Sequence, residues 1–204
     1  MKKNIEQTVI EKMEEAYGDH FYLEEPYFSS KVAGNHYLEL SCDSYQETKI
    51  AVTFSKKLFG NTLTSIKDNY IPCVRSLEIT SSFDERIRSL FNEEYRVLLS
   101  PGSSEETGTY SLSTPVDTLL REFDEFDEFF IISRESVSAE AIKSLMSELE
   151  KSGYKFTVHI SGLVDRALFE SIDVSYYDHN DPPSVGKQFN SIYYDNGAYI
   201  LADD

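Results

Sequence analysis

Positive charge is in short supply along this chain: 19 Lys and Arg stand against 36 Asp and Glu, for a formal net charge of -17. Such a surface repels nucleic acid and anionic membrane, and it attracts basic protein faces. Lys56-Lys57 is the only adjacent basic pair apart from Lys2-Lys3. Cysteine is scarce too. Cys42 and Cys73 lie 31 positions apart with no C-x-x-C pattern, and two buried apolar thiols are expected, a disulfide between them being the alternative. Tryptophan is absent, with no clear physical consequence. Nine Gly and six Pro are too few for a low-complexity protein. No stretch approaches the roughly 18 consecutive apolar residues of a membrane span. Met1 to Gln7 begins like a signal peptide, yet Glu6, Glu11, Glu14 and Glu15 interrupt any apolar core that would follow. The expected location is therefore the cytoplasm, with no membrane contact.

Catalytic and ligand motifs are missing as well. The four histidines, His20, His36, His159 and His179, form no HxH, HxxxH or HExxH spacing that would set two imidazoles on one metal. Asp178-His179-Asn180-Asp181 groups oxygen ligands, but Pro182-Pro183 breaks the calcium-loop spacing, and the expected Gly and terminal Glu are lacking. It reads as a solvated turn. Neither G-x-x-x-x-G-K-S/T nor G-x-G-x-x-G occurs, so nothing supports phosphate cradling by backbone amides. No cofactor and no metal are expected. His159 sits two residues before Ser161 on one face of a strand, where a His-Ser hydrogen bond is conceivable. A nucleophilic serine also wants a sharp elbow and an oxyanion hole, and no G-x-S-x-G is present.

What the chain does have is apolar material for a core: 40% hydrophobic residues, with 14 Tyr and 13 Phe among its 204 positions. Ile5, Val9, Met13 and Ala16 fall at helical spacing before Gly18, which predicts a helix over about 3–17. Phe21-Tyr22-Leu23, His36 to Cys42 and Ile50 to Phe54 predict a small antiparallel sheet. Asn69-Tyr70-Ile71, running into Pro72, is ambiguous. Ser82 is a plausible cap for a helix with Phe83, Ile87, Leu90 and Phe91 on one face, and Tyr95 to Leu99 reads as a strand. Residues 100–115 read as an exposed loop.

Beyond it, Pro115 to Phe123 reads as a helix with Pro115 in its first turn. Phe129 to Ile132 reads as a buried strand. Ser138 caps a helix striped by Ala141, Ile142, Leu145, Met146 and Leu149 and ended by Gly153. Tyr154 to Ile160 is a strand, Leu163 to Ile172 a short helix and Val174 to Tyr177 a further strand. A hairpin joins 191–194 to 198–201 through Asp195-Asn196-Gly197. The expectation is an α+β protein: an N-terminal helix with a small antiparallel sheet, then an alternating strand–helix segment with a mixed sheet, closed by the hairpin. The organisation follows as a subdomain over 1–104 and another over 112–204, or one continuous domain.

Negative charge is concentrated in the second half. Residues 1–100 carry 16 acids and 12 bases, a net of -4, whereas residues 101–204 carry 20 and 7, a net of -13. It is densest from Glu122 to Phe130, where carboxylates and phenyl rings alternate. One reading places the rings in the core and the acids in water. The sharper one leaves some rings exposed, with Glu122, Asp124, Glu125, Phe126, Asp127 and Glu128 as a patch that docks on a basic groove.

The first half carries Glu11-Lys12-Met13-Glu14-Glu15-Ala16-Tyr17-Gly18-Asp19-His20-Phe21, followed by short strands, and then Lys67-Asp68-Asn69-Tyr70-Ile71-Pro72-Cys73-Val74. Over roughly residues 5–90 these resemble a group of uncharacterised small proteins of Gram-positive bacteria, often encoded on conjugative elements. The resemblance implies mobile-element cargo in the cytoplasm. It brings no activity and no catalytic residues.

Charge and pattern together favour a non-enzymatic acidic binding protein. It would be an inhibitor that docks on a basic, nucleic-acid-binding surface of a host protein such as a defence nuclease, without binding nucleic acid directly. A toxin-neutralising immunity protein fits the same physics. An enzyme on the second-half layout would draw on Ser133, Arg134, Ser161 and Asp178 at strand ends. Exposed aromatics would instead build a homo-oligomer.

Overall fold

Short apolar segments, some alternating with polar residues and some continuous, build two sheets. The computed structural model describes residues 4–29, 35–56, 62–102, 105–173, 186–195 and 197–203. The chain divides into two units, Met1–Arg75 with Gly102–Thr114, and Ser76–Pro101 with Pro115–Asp204. A division at the 100–115 loop would put residues 76–101 in the first unit; the chain contacts group them with the second.

In the first unit α1 (Ile5–Tyr17) is followed by β1 (Phe21–Ser29), β2 (Asn35–Cys42), β3 (Tyr45–Lys56) and β4 (Leu63–Asp68). Ile5, Val9 and Met13 form the buried stripe of α1, and Gly18 stops the helix in the left-handed region at φ 70°. Leu38, Leu40 and Cys42 on β2, and Ile50, Val52 and Phe54 on β3, alternate into the core. The ambiguous Tyr70 stretch is a short helix, α2 (Tyr70–Val74), with Pro72 near its start, where a missing N–H costs little.

The expected loop is partly structured. Glu105–Glu106 forms β5, antiparallel to Lys67 and Asp68. The sheet is thereby a five-stranded antiparallel one, with β5 next to β4. The loop is held by Asp68, which is 5% exposed. Its carboxylate accepts from the Thr107 hydroxyl (2.6 Å), the Tyr70 N–H (2.9 Å) and the Tyr17 hydroxyl (3.0 Å). Gly108 in turn donates to the Tyr17 oxygen at 3.0 Å. Turn-rich composition hid this anchor, because its partners lie far away in sequence.

The second unit starts with α3 (Ser76–Ile87). Ser82 lies inside this helix and is not its cap. Ile79, Phe83 and Ile87 make an i, i+4, i+8 buried stripe that carries the helix back past Ser82. Leu90 falls in a short 3-10 turn and Phe91 beyond it, outside the α-helical face. There follow β6 (Tyr95–Ser100), α4 (Val116–Glu122), β7 (Glu128–Ser133), α5 (Ala139–Ser152), β8 (Thr157–Gly162), α6 (Arg166–Ser171), β9 (Gln188–Asp195) and β10 (Ala198–Asp203). Ser138 caps α5 by accepting the Ala141 N–H at 3.1 Å, and Gly153 ends it at φ 72°. The sheet is mixed: β7 and β8 are parallel across the α5 crossover, while β6–β7, β8–β9 and β9–β10 are antiparallel. The predicted strand at Val174 to Tyr177 lies outside the described residues, as does Asn196 of the hairpin turn.

Both faces of this sheet are apolar at its centre. Phe83, Phe129 and Phe156 interlock on one face, with ring centroids 4.4 to 5.3 Å apart. Phe130, Ile132, Val164, Phe169 and Ile172 form the cluster on the other. The protein is α+β, with its N-terminal helix, antiparallel sheet, mixed sheet and terminal hairpin.

Candidate functional site

The acidic run is divided by the fold. α4 ends where Phe123 turns extended (ψ 141°), and that ring goes into the core at 3% exposure. Phe129 and Phe130, on opposite faces of β7, are buried as well. Phe126 is the exception, at 67% exposure.

Phe126 stands on a turn held by reciprocal bonds. The Asp124 carboxylate accepts the Phe126 N–H and the Asp127 carboxylate accepts the Asp124 N–H, both at 2.9 Å. The Asp127 N–H closes the turn on the Asp124 carbonyl at 3.0 Å. Two bonds from the next strand fix it to the sheet: the Thr157 N–H donates to the Asp127 carbonyl (3.0 Å) and the Thr157 hydroxyl to the Glu125 carbonyl (3.3 Å).

Five of the six residues expected in the docking patch retain some exposure. Glu122, Glu125 and Phe126 are exposed, while Asp124 and Glu128 are half-buried. Asp127 is the correction: at 2% exposure it faces the chain and not a partner. Short aspartates recur at turns because their carboxylates reach nearby backbone N–H groups, and that signal was present at Asp124 and Asp127. Arg121, the nearest preceding base, is occupied by Asp117 (2.9 Å) and by the Ser152 carbonyl (2.7 Å). It also holds the Asp117 carboxyl below the usual carboxylate range.

Of the described residues considered for an enzyme, both serines are buried. Ser133 is fully buried, its hydroxyl accepting the Glu135 N–H at 3.2 Å, and Ser161 is 1% exposed. Arg134 lies over the Phe169 ring at 6.0 Å. Asp178, together with the Asp178 to Asp181 turn, lies outside the described residues.

A different group forms around His159. Its Nδ1 is 2.9 Å from the Ser191 hydroxyl, and its Nε2 is 3.3 Å from a Glu128 carboxylate oxygen. A carboxylate only accepts, so in the neutral ring Nε2 carries the proton and Nδ1 accepts from Ser191. The ring is stacked between Phe130 at 4.9 Å and Phe189 at 5.8 Å. Cross-strand register explains the group: His159 pairs with Phe130 on β7 and with Ser191 on β9. Along the sequence the visible partner is Ser161, two positions on in the same strand; Ser191 reaches His159 only through the β8–β9 register.

The other described histidines and both cysteines lie in the first unit. His20 pairs with Glu14, and His36 stacks on Phe54 at 5.1 Å, with burial pushing its imidazole pKa down. Cys42 and Cys73 are buried thiols not joined in a disulfide, and burial, with a hydrogen bond to Asp19, pushes Cys42 up to about 11. Among the described residues no three His, Cys, Asp or Glu side chains group around a metal position, and no helix is long and apolar enough to cross a membrane. A groove of about 540 Å³ in the first unit, between α1 and β4, gathers none of the sequence-derived candidates.

No family model matches the chain, and no curated protein matches it. Among solved structures it is similar to the crystal structure of a DUF5037 family protein from Ruminococcus gnavus ATCC 29149. That likeness has 12% sequence identity and a TM-score of 0.47, and covers 96% of this chain and 94% of the other.

Proposed function

We propose that this protein is an acidic binding protein that sets the Phe126 turn against a basic protein surface, as an inhibitor of a nucleic-acid-binding host protein such as a defence nuclease would. The observation that carries this reading is the Phe126 turn itself. Of the four phenylalanines between Glu122 and Phe130, three are buried, and the fourth is held out by a hydrogen-bonded turn amid carboxylates. An ordered turn loses little conformational freedom on docking. Burying the exposed part of the ring is worth about 1–2 kcal/mol at the usual value for a phenyl side chain. The surrounding carboxylates speed encounter with a cationic face and orient it. Direct contact with nucleic acid or with an anionic membrane is disfavoured by the net charge of -17. The setting that fits the sequence resemblance is the cytoplasm of a Gram-positive host, with the protein carried by a mobile element.

The test is capture from a Gram-positive lysate on immobilised wild-type protein, Phe126→Ala and the pair Glu122→Lys with Glu125→Lys. A basic protein should be retained by the wild type, released by about 0.5 M salt as charges are screened, and retained more weakly by both variants. Equal capture by the variants, or retention indifferent to salt, would count against the proposal.

A further inference from the structure

We propose that Ser191 is a base-activated nucleophile that accepts acyl groups from small neutral esters. This goes beyond docking and does not rest on it. Nucleophile, base and orienting group are in hydrogen-bond reach on three adjacent strands: Ser191 on β9, His159 on β8 and Glu128 on β7. This is the arrangement that activates a hydroxyl. Glu128 fixes the tautomer that leaves Nδ1 as the acceptor, and the rings of Phe130 and Phe189 restrict the imidazole to that plane. The His159 side chain is 15% exposed, and Ser191 is half-buried, within reach of solvent.

The neighbouring positions on this face supply a shelf. Ser191 pairs with Ala202, and Tyr193 with Ile200, so all four share one face of the hairpin. Tyr193 and Ile200 are each 37% exposed. An apolar acyl or alcohol group fits against them, while the Glu128 carboxylate disfavours an anionic substrate.

In the step itself, Ser191 Oγ attacks the ester carbonyl carbon as its proton passes to His159 Nδ1. The resulting imidazolium is paired with Glu128. The tetrahedral adduct collapses, the ester C–O bond breaks, and the leaving oxygen departs with the proton from Nδ1, or departs as a stable anion while the imidazolium releases that proton to solvent. An ester of Ser191 remains. Water then attacks it, His159 takes the water's proton and returns it to Ser191 Oγ, and the carboxylic acid is released. Ser191 lies in mid-strand with ladders on both sides, so its own amide serves the sheet and not an oxyanion. General-base assistance is worth about 10²–10⁴ in rate. The lower end is expected at this site, with acylation faster than hydrolysis of the Ser191 ester.

The full chain is treated with p-nitrophenyl acetate, followed by intact mass and peptide mapping. The expected result is a burst of p-nitrophenolate with a single acetyl group on Ser191. Ser191→Ala should remove both, and His159→Asn should slow acetylation about 100-fold. Glu128→Gln should lower the rate, because the imidazolium formed in the step loses its carboxylate partner. Mapping the wild-type protein requires no variant to fold. Acetylation confined to lysines, no acetylation, or equal rates in wild type and His159→Asn would overturn the proposal.

Discussion

Replacing Asp127 by alanine tests whether the turn that presents Phe126 is built by its own aspartates. The carboxylate is 2% exposed and accepts the Asp124 N–H at 2.9 Å. A hydrogen bond to a charged group contributes about 1.5–3 kcal/mol. Asp124 is only half-buried, so its freed amide finds water and the cost falls in the lower part, about 1.5–2 kcal/mol. At about 2–4 °C per kcal/mol for a chain of this size, the melting transition should fall by about 3–8 °C. Native-state hydrogen exchange gives the local reading. The Asp124 amide should exchange roughly 10–30-fold faster, following the factor of ten per 1.4 kcal/mol. Unfolding followed by tyrosine emission suits a protein with 14 Tyr and no Trp. An unmoved transition together with an unchanged Asp124 amide would refute the role of this carboxylate. The same geometry decides how charge reversal must be done: Glu122 and Glu125 are free to change, whereas lysine at Asp127 would bury an ammonium and open the turn.

Phe126→Ala should leave stability within about 0.5 kcal/mol, as for an exposed residue, while weakening capture of a basic partner by about 10-fold, measured by titration calorimetry. Phe129→Ala, at the centre of the ring cluster, should cost about 3–5 kcal/mol in chemical denaturation. Asp68 gives a pH prediction. Burial raises its carboxyl pKa above the ordinary 3.8 despite the donors that oppose the shift. A raised pKa in the folded state favours folding while the group is protonated, and this contribution is lost as pH climbs through the raised value. Urea midpoints should therefore fall with rising pH above 3.8 more steeply in wild type than in Asp68→Asn; parallel profiles would contradict this.

Local signals carried most of the element pattern. The α1 stripe, the Ser138 cap with Gly153, and the hairpin around Gly197 all depend on neighbours within a few positions, and each forms where its residues predict. Signals that depend on distant partners were not legible. Glu105–Glu106 is a strand only because Lys67 and Asp68 offer an edge, and Ser82 imitates a cap while lying inside α3. The acidic run was visible as composition, but which ring stays outside was not. That depends on β7 sending Phe129 and Phe130 to opposite buried faces, and on Asp127 folding back onto the Asp124 amide. The His159 group required the β8–β9 register, which no short window contains.

Hydrogen exchange on the complex with a captured partner, compared with the free protein, tests docking through the acidic turn most directly. Slowed exchange confined to residues 122–128 and the adjoining Thr157 segment is the predicted footprint. Protection elsewhere, with residues 122–128 exchanging as in the free protein, would place the interface on another surface.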